Sequence, residues 1–168
     1  MAGEMLQIQQ KLQAASISKF ERNRDRRERR PRGKRGGEAM KPWNDTDVMM
    51  FFDPHPAALP LFKAFAEKLY ELYPASEMRV QKTQITFSNR HVFACVSFLR
   101  IKKKAELPDP YLVVTLGLSF PLASHRVAAK TEAYPGRWTT HIVIGAPSEI
   151  DSELMEWVRL AYDFSESK

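Results

Sequence analysis

The stretch that most restricts the fold of this chain is residues 126–144, which read RVAAKTEAYPGRWTTHIVI. Tyr134-Pro135-Gly136-Arg137 carries Pro at the second and Gly at the third position of a four-residue turn, the preference of type II. Alternating polar and apolar residues flank the turn on both sides, which is the pattern of a half-buried antiparallel hairpin. With Pro135 and Gly136 as the loop, Tyr134 opposes Arg137, Glu132 opposes Thr139, Lys130 opposes His141 and Ala128 opposes Val143. Directly opposed residues point to one face. This register puts Val127, Ala129, Thr131, Ala133, Trp138, Thr140, Ile142 and Ile144 on a mostly apolar face. The other face then carries Arg126, Lys130, Glu132, Tyr134, Arg137, Thr139 and His141.

That sorting supports two readings. One is the solvated side of an ordinary strand pair, laced with pairs such as Lys130–Glu132. The other is the floor of a pocket for an acidic ligand, in which Arg grips a carboxylate or phosphate and His141 exchanges a proton near neutral pH.

The rest of the chain predicts an α+β domain. Residues 61–73, LFKAFAEKLYELY, repeat Phe62, Phe65, Leu69, Leu72 and Tyr73 at helical spacing with charged residues opposite, and Pro74 ends the helix. Residues 79–88, RVQKTQITFS, form a faulted strand. Ile85 and Phe87 share a parity that Val80 lacks, so a turn or bulge belongs around Lys82-Thr83-Gln84. Ser88-Asn89-Arg90 turns the chain into HVFACVSFLRI (91–101), apolar at both parities and expected to be covered on both faces. KKKAELPDP (102–110) is a solvent loop. YLVVTLGLSF (111–120) sets Leu112, Val114, Leu116 and Leu118 on a core face. The last helix places Ile150, Leu154, Trp157, Val158, Ala161 and Tyr162 on one stripe, with Ser148 or Asp151 as its cap.

Charge divides the chain. The net charge is +6. Residues 21–35, ERNRDRRERRPRGKR, hold nine Arg or Lys against three acidic groups, whereas residues 36–168 hold 15 basic and 16 acidic groups. Basicity therefore belongs to the N-terminal segment and says nothing about the ligand of the folded part. Residues 21–38 contain no aliphatic or aromatic side chain, so residues 1–41 are expected to be a basic, largely disordered tail with a possible short helix over 4–18. Arg22, Arg24, Arg26, Arg27, Arg29 and Arg30 suit an arm on nucleic-acid phosphates. A solubilising tail, or an extension upstream of a start at Met40, stays open beside it.

Several chemistries find no support. Cys95 is the one cysteine, which excludes an internal disulfide or a multi-Cys zinc site and suits a reducing compartment. Its apolar strand argues for burial as a small hydrophobe rather than nucleophilic duty. His55, His91, His125 and His141 lack metal-site spacing, and no Gly-rich phosphate loop or G-x-S-x-G elbow occurs. No apolar run reaches membrane-span length, and the first twenty residues lack a signal-peptide core. No cofactor and no metal are expected, and the expected location is cytoplasmic.

The segments VQKTQITFSNRHVFACV, HRVAAKTEAYPGRWTTHIVI and SEIDSELMEWVRLAY, in that order, carry a resemblance. The span from about Phe51 to Phe164 resembles the bacterial family catalogued as domain of unknown function 5655. The motif implies Lys82, Gln84, Arg126, Tyr134 and His141 as its positions of interest. More loosely, the order of elements is similar to the frataxin-like iron-chaperone domains, which implies an antiparallel sheet with helices packed on one side. Many members carry a Cys-rich finger before the domain, where this chain has its Arg-rich segment.

The expectation is thus one α+β domain over residues 42–166, with an antiparallel sheet of four or five strands and helices on one side. Its expected role is a non-catalytic binding module for a small anionic ligand or a protein partner, through Lys82, Gln84, Arg126, Lys130, Tyr134, Arg137 and His141. The alternatives are a nucleic-acid-associated protein using the arm, and an enzyme of unrecognised type using His141.

Overall fold

The computed structural model describes residues 43–168. The basic segment, its possible helix over 4–18 and the six arginines named from it lie outside the described residues.

Helix α1 (Asp45–Phe52) begins where the Asn44 side chain accepts a hydrogen bond from the Thr46 N–H at 3.0 Å, an N-cap that satisfies one of the orphan donors of the first turn. A 3-10 turn at Pro56–Ala58 leads into α2 (Leu59–Leu72). Phe62, Phe65, Ala66 and Leu69 are fully buried there, as the helical spacing requires. Leu72, expected on the same stripe, is instead exposed, and Tyr73 at the C-cap takes the core position. The Tyr73 ring stacks on Tyr162 of the last helix at 3.9 Å.

Six strands follow: β1 (Glu77–Val80), β2 (Gln84–Ser88), β3 (Val92–Ser97), β4 (Leu112–Leu118), β5 (Val127–Tyr134) and β6 (Arg137–Ile144). They form one antiparallel sheet in the order β1-β2-β3-β4-β6-β5. The count exceeds the expected four or five because the fault around Lys82 is a full reversal. Gln81, Lys82 and Thr83 make a turn closed by the Gln81 N–H to the Gln84 carbonyl at 2.9 Å. Val80 then pairs with Ile85 and Met78 with Phe87, so the turn returns Val80 to the face it could not share by alternation alone. The 91–101 strand is also shorter than expected, ending at Ser97.

Cross-strand pairing sorts the sheet into two faces. Val80, Ile85, Val96, Val114, Ile142 and Val127 form one row. This row and its neighbours pack with α2 and the final helix α3 (Ser152–Glu166) into the core. Phe87 meets Phe65 edge-on at 5.8 Å across this layer. The stripe of α3 is as read from the sequence: Ile150, Leu154, Val158 and Ala161 are fully buried, with Trp157 and Tyr162 nearly so. Asp151 caps the helix, accepting from the Leu154 N–H at 2.9 Å.

The β5–β6 hairpin has the expected two-residue loop, with Gly136 at φ +71°, a backbone state that costs glycine nothing. The pairing beyond the turn differs from expectation. Tyr134 opposes Arg137, but an irregularity between Glu132 and Tyr134 shifts the register by one residue. Glu132 therefore opposes Trp138, Lys130 opposes Thr140 and Ala129 opposes His141. Because side chains alternate with period two, that single extra residue moves Lys130 and Glu132 to the helix-side face and Ala129 and Thr131 to the outer face. The expected Lys130–His141 pair does not form. Nor does a Lys130–Glu132 ion pair: the Lys130 Nζ donates to the Leu122 carbonyl at 3.0 Å, and Glu132 accepts from the Gly136 N–H at 3.0 Å.

Candidate functional site

The outer face of the sheet carries a second cross-strand row: Arg79, Thr86, Cys95, Thr115, His141 and Ala129. Its three central members sit on adjacent strands. The Thr115 Oγ1 lies 2.8 Å from the His141 Nδ1, and Thr115 also hydrogen-bonds the Cys95 thiol. A hydroxyl can donate once and accept twice, so Thr115 can serve both neighbours. Burial pushes the Cys95 thiol up from its ordinary value, and the bond from Thr115 only partly offsets it. Burial also holds His141 below its ordinary value of 6.5, which favours the neutral imidazole. Cys95, Thr115 and His141 thus form an uncharged polar floor. A half-buried neutral thiol of this kind is a weak nucleophile, though it lines the cavity.

This floor lies under a cavity of about 650 Å³, a size that suits a small-molecule ligand. One wall is aromatic, formed by Phe51 at the end of α1, His55 after it and Phe98 after β3. The His55 and Phe98 rings lie 4.2 Å apart, and Phe51 stacks on Phe98 at 5.7 Å. The rim is cationic. Lys82 from the β1–β2 turn and Arg100 beyond β3 both line the cavity, brought to one end of the sheet because Gln84 pairs with Ser97. Neither forms an ion pair with a described residue, and the lining includes no carboxylate.

The residues singled out from the sequence divide into three groups. Lys82, Gln84 and His141 line this cavity together. Tyr134 and Arg137 line a neighbouring depression of about 260 Å³ near the hairpin loop, which shares Cys95, Thr115 and Thr139 with the first. Arg126 and Lys130 line neither. Arg126 is held by α3 instead: its Nη1 lies 2.9 Å from both Asp151 and Glu153, its Nη2 donates to the Glu149 carbonyl, and its guanidinium lies 5.4 Å from the Trp157 ring centroid. It fastens the start of β5 to the N-terminal turn of α3.

Cys95, Thr115, His55, Phe98 and Arg100 were not singled out as ligand groups. A partial signal existed: Cys95 and Ser97 share a parity in FACVS, as do Thr115 and Gly117 in VTLG, and small or polar residues at one parity mark an outer face. Nothing in the sequence says that the two sets are neighbours, because β3–β4 register is a tertiary fact.

Among the described residues, no group of three or more His, Cys, Asp or Glu is placed to hold a metal, and no helix is long and apolar enough to cross a membrane. A family model described as Domain of unknown function (DUF5655) matches residues 50–165. No curated protein and no solved structure matches the chain.

Proposed function

We propose that this chain, which belongs to the DUF5655 family, is a non-catalytic cytoplasmic module that binds a small anionic ligand on the outer face of its sheet. The observation that carries this reading is the lining of the 650 Å³ cavity: Lys82 and Arg100 at the rim, His55 and His141 within, and no carboxylate. Two cations without acidic partners at the mouth of a concave site attract an anion. Arg100 can take a carboxylate or phosphate by two parallel hydrogen bonds, with Lys82 as a point charge. Burial pushes the Cys95 thiol up, so it is not an activated nucleophile, which supports binding rather than thiol chemistry.

Cys95 lies in the cavity floor and is the chain's one cysteine, so occupancy can be read as protection of its thiol. The test measures the rate of Cys95 modification by methyl methanethiosulfonate in the full chain, with inorganic phosphate, phenyl phosphate, succinate or neutral benzyl alcohol present. Anions should protect and benzyl alcohol should not. Replacing Lys82→Ala and Arg100→Ala together should raise the protecting concentration about tenfold or more, the scale of losing charged hydrogen bonds. Equal protection in the double variant would remove the reading.

A second reading rests on charge alone: the nine basic residues of 21–35 would hold nucleic-acid phosphates. Binding of that kind should weaken steeply with salt and disappear when residues 1–39 are deleted.

A further inference from the structure

We infer that the ligand of the outer-face cavity carries a flat aromatic or heteroaromatic ring beside its anionic group, an inference that rests on the binding reading above. An anion alone needs only the rim. It leaves unexplained why the cavity that Lys82 and Arg100 line is also lined by three rings, two of them packed on the third, Phe98. His55 is exposed and lies against Phe98, which in turn stacks on Phe51. Phe98 also meets Phe52 and Tyr111 edge-on, at 5.5 and 6.1 Å. The Tyr111 hydroxyl donates to the Phe98 carbonyl at 3.0 Å, so the wall is held from behind by side chains and backbone together. The wall is a rigid aromatic surface bordering a cavity.

Such a surface suits a ring laid against it in offset or edge-on contact, which adds attraction beyond simple burial. The chain supplies the ring wall and the cationic rim from adjacent positions: Phe98 and Arg100 lie two residues apart just beyond β3, and Lys82 faces them from the β1–β2 turn. A ligand with its ring on the wall would place an attached phosphate or carboxylate at the rim. The Thr139 hydroxyl in the lining then remains to meet a polar substituent between the two ends. Phosphate and carboxylate share this recognition, and the test separates them.

Protection of Cys95 in the full chain is compared for phenyl phosphate, cyclohexyl phosphate, benzoate, cyclohexanecarboxylate and inorganic phosphate. Each aryl anion should protect at about a fivefold lower concentration than its saturated counterpart, a ratio within the range of one aromatic contact. The better of phenyl phosphate and benzoate identifies the anionic group. His55→Ala, at an exposed position outside the core, should reduce that aryl preference, and Phe98→Leu, which keeps apolar volume, should reduce it further. The two claims fail separately. Anions that protect without aryl preference would overturn the ring and leave the anion site standing. Loss of protection by every probe would overturn both. A single-stranded oligonucleotide that protects far better than phenyl phosphate, and does so less well when Lys102, Lys103 and Lys104 are replaced by Ala, would overturn the small ligand in favour of a strand.

Discussion

Thr115 and His141 face each other across the β4–β6 ladder with 2.8 Å between the hydroxyl oxygen and Nδ1, a hydrogen bond set in the cavity floor. If the hydroxyl donates to Nδ1, the imidazole proton sits on Nε2 and the ring is neutral.

The consequence for pH follows from the sign of the shift. Burial lowers His141 from 6.5, so just below 6.5 the unfolded chain binds more protons than the folded one, and stability rises with pH there. The contribution is complete above 6.5 and is lost as pH falls through the folded value. His141→Gln should flatten this part of the profile of urea midpoint against pH, and NMR titration of the imidazole should give a midpoint under 6.5. A midpoint at or above 6.5 would contradict the half-buried neutral ring.

Arg126 should behave as a structural residue. It bridges Asp151, Glu153, the Glu149 carbonyl and the Trp157 ring, but both carboxylates are about half exposed, which screens the ion pairs. Arg126→Ala should therefore cost about 1–2 kcal/mol in denaturant unfolding while leaving anion protection of Cys95 within about twofold. Asp151 is also affected. Burial opposes its ionisation, and the Leu154 N–H and Arg126 outweigh that, holding it below 3.8. Its stabilising share is present above 3.8 and disappears as pH falls through the folded value, so Arg126→Ala should shrink the acid-side loss of stability. Loss of anion protection without loss of stability would return Arg126 to the ligand site.

Trp157 lies on the α3 stripe at 3% exposure. Trp157→Ala should cost about 3–5 kcal/mol, the range for emptying a large aromatic site in a core, read from the shift of the urea midpoint at unchanged slope. A cost below about 1 kcal/mol would contradict the observed burial.

Where local rules decide, the sequence was legible. The α3 stripe and its Asp151 cap depend on the helical repeat and on one hydrogen bond to a residue three places on. The Pro135-Gly136 loop depends on a positive φ that only glycine adopts without strain. The break near Lys82 was legible as a parity fault, though its depth, a whole turn and hence a sixth strand, was not.

The candidate site lies on the other side of that divide. Lys82, Gln84 and His141 come together in the cavity while Arg126, from the same sequence motif, is carried to α3. The one-residue slip between Glu132 and Tyr134 turns Lys130 and Glu132 away from the face of His141, a second slip between Val127 and Ala129 restores the parity at Val127, and Arg126, just before β5, is held by Asp151 and Glu153. Hydrophobic alternation by itself determined that this chain builds an antiparallel α+β domain with a polar hairpin. Only tertiary pairing decided which polar residues share a face: Cys95, Thr115 and His141 are brought into one row by ladder hydrogen bonds between strands, and those bonds are made by backbone groups that every residue but proline carries alike.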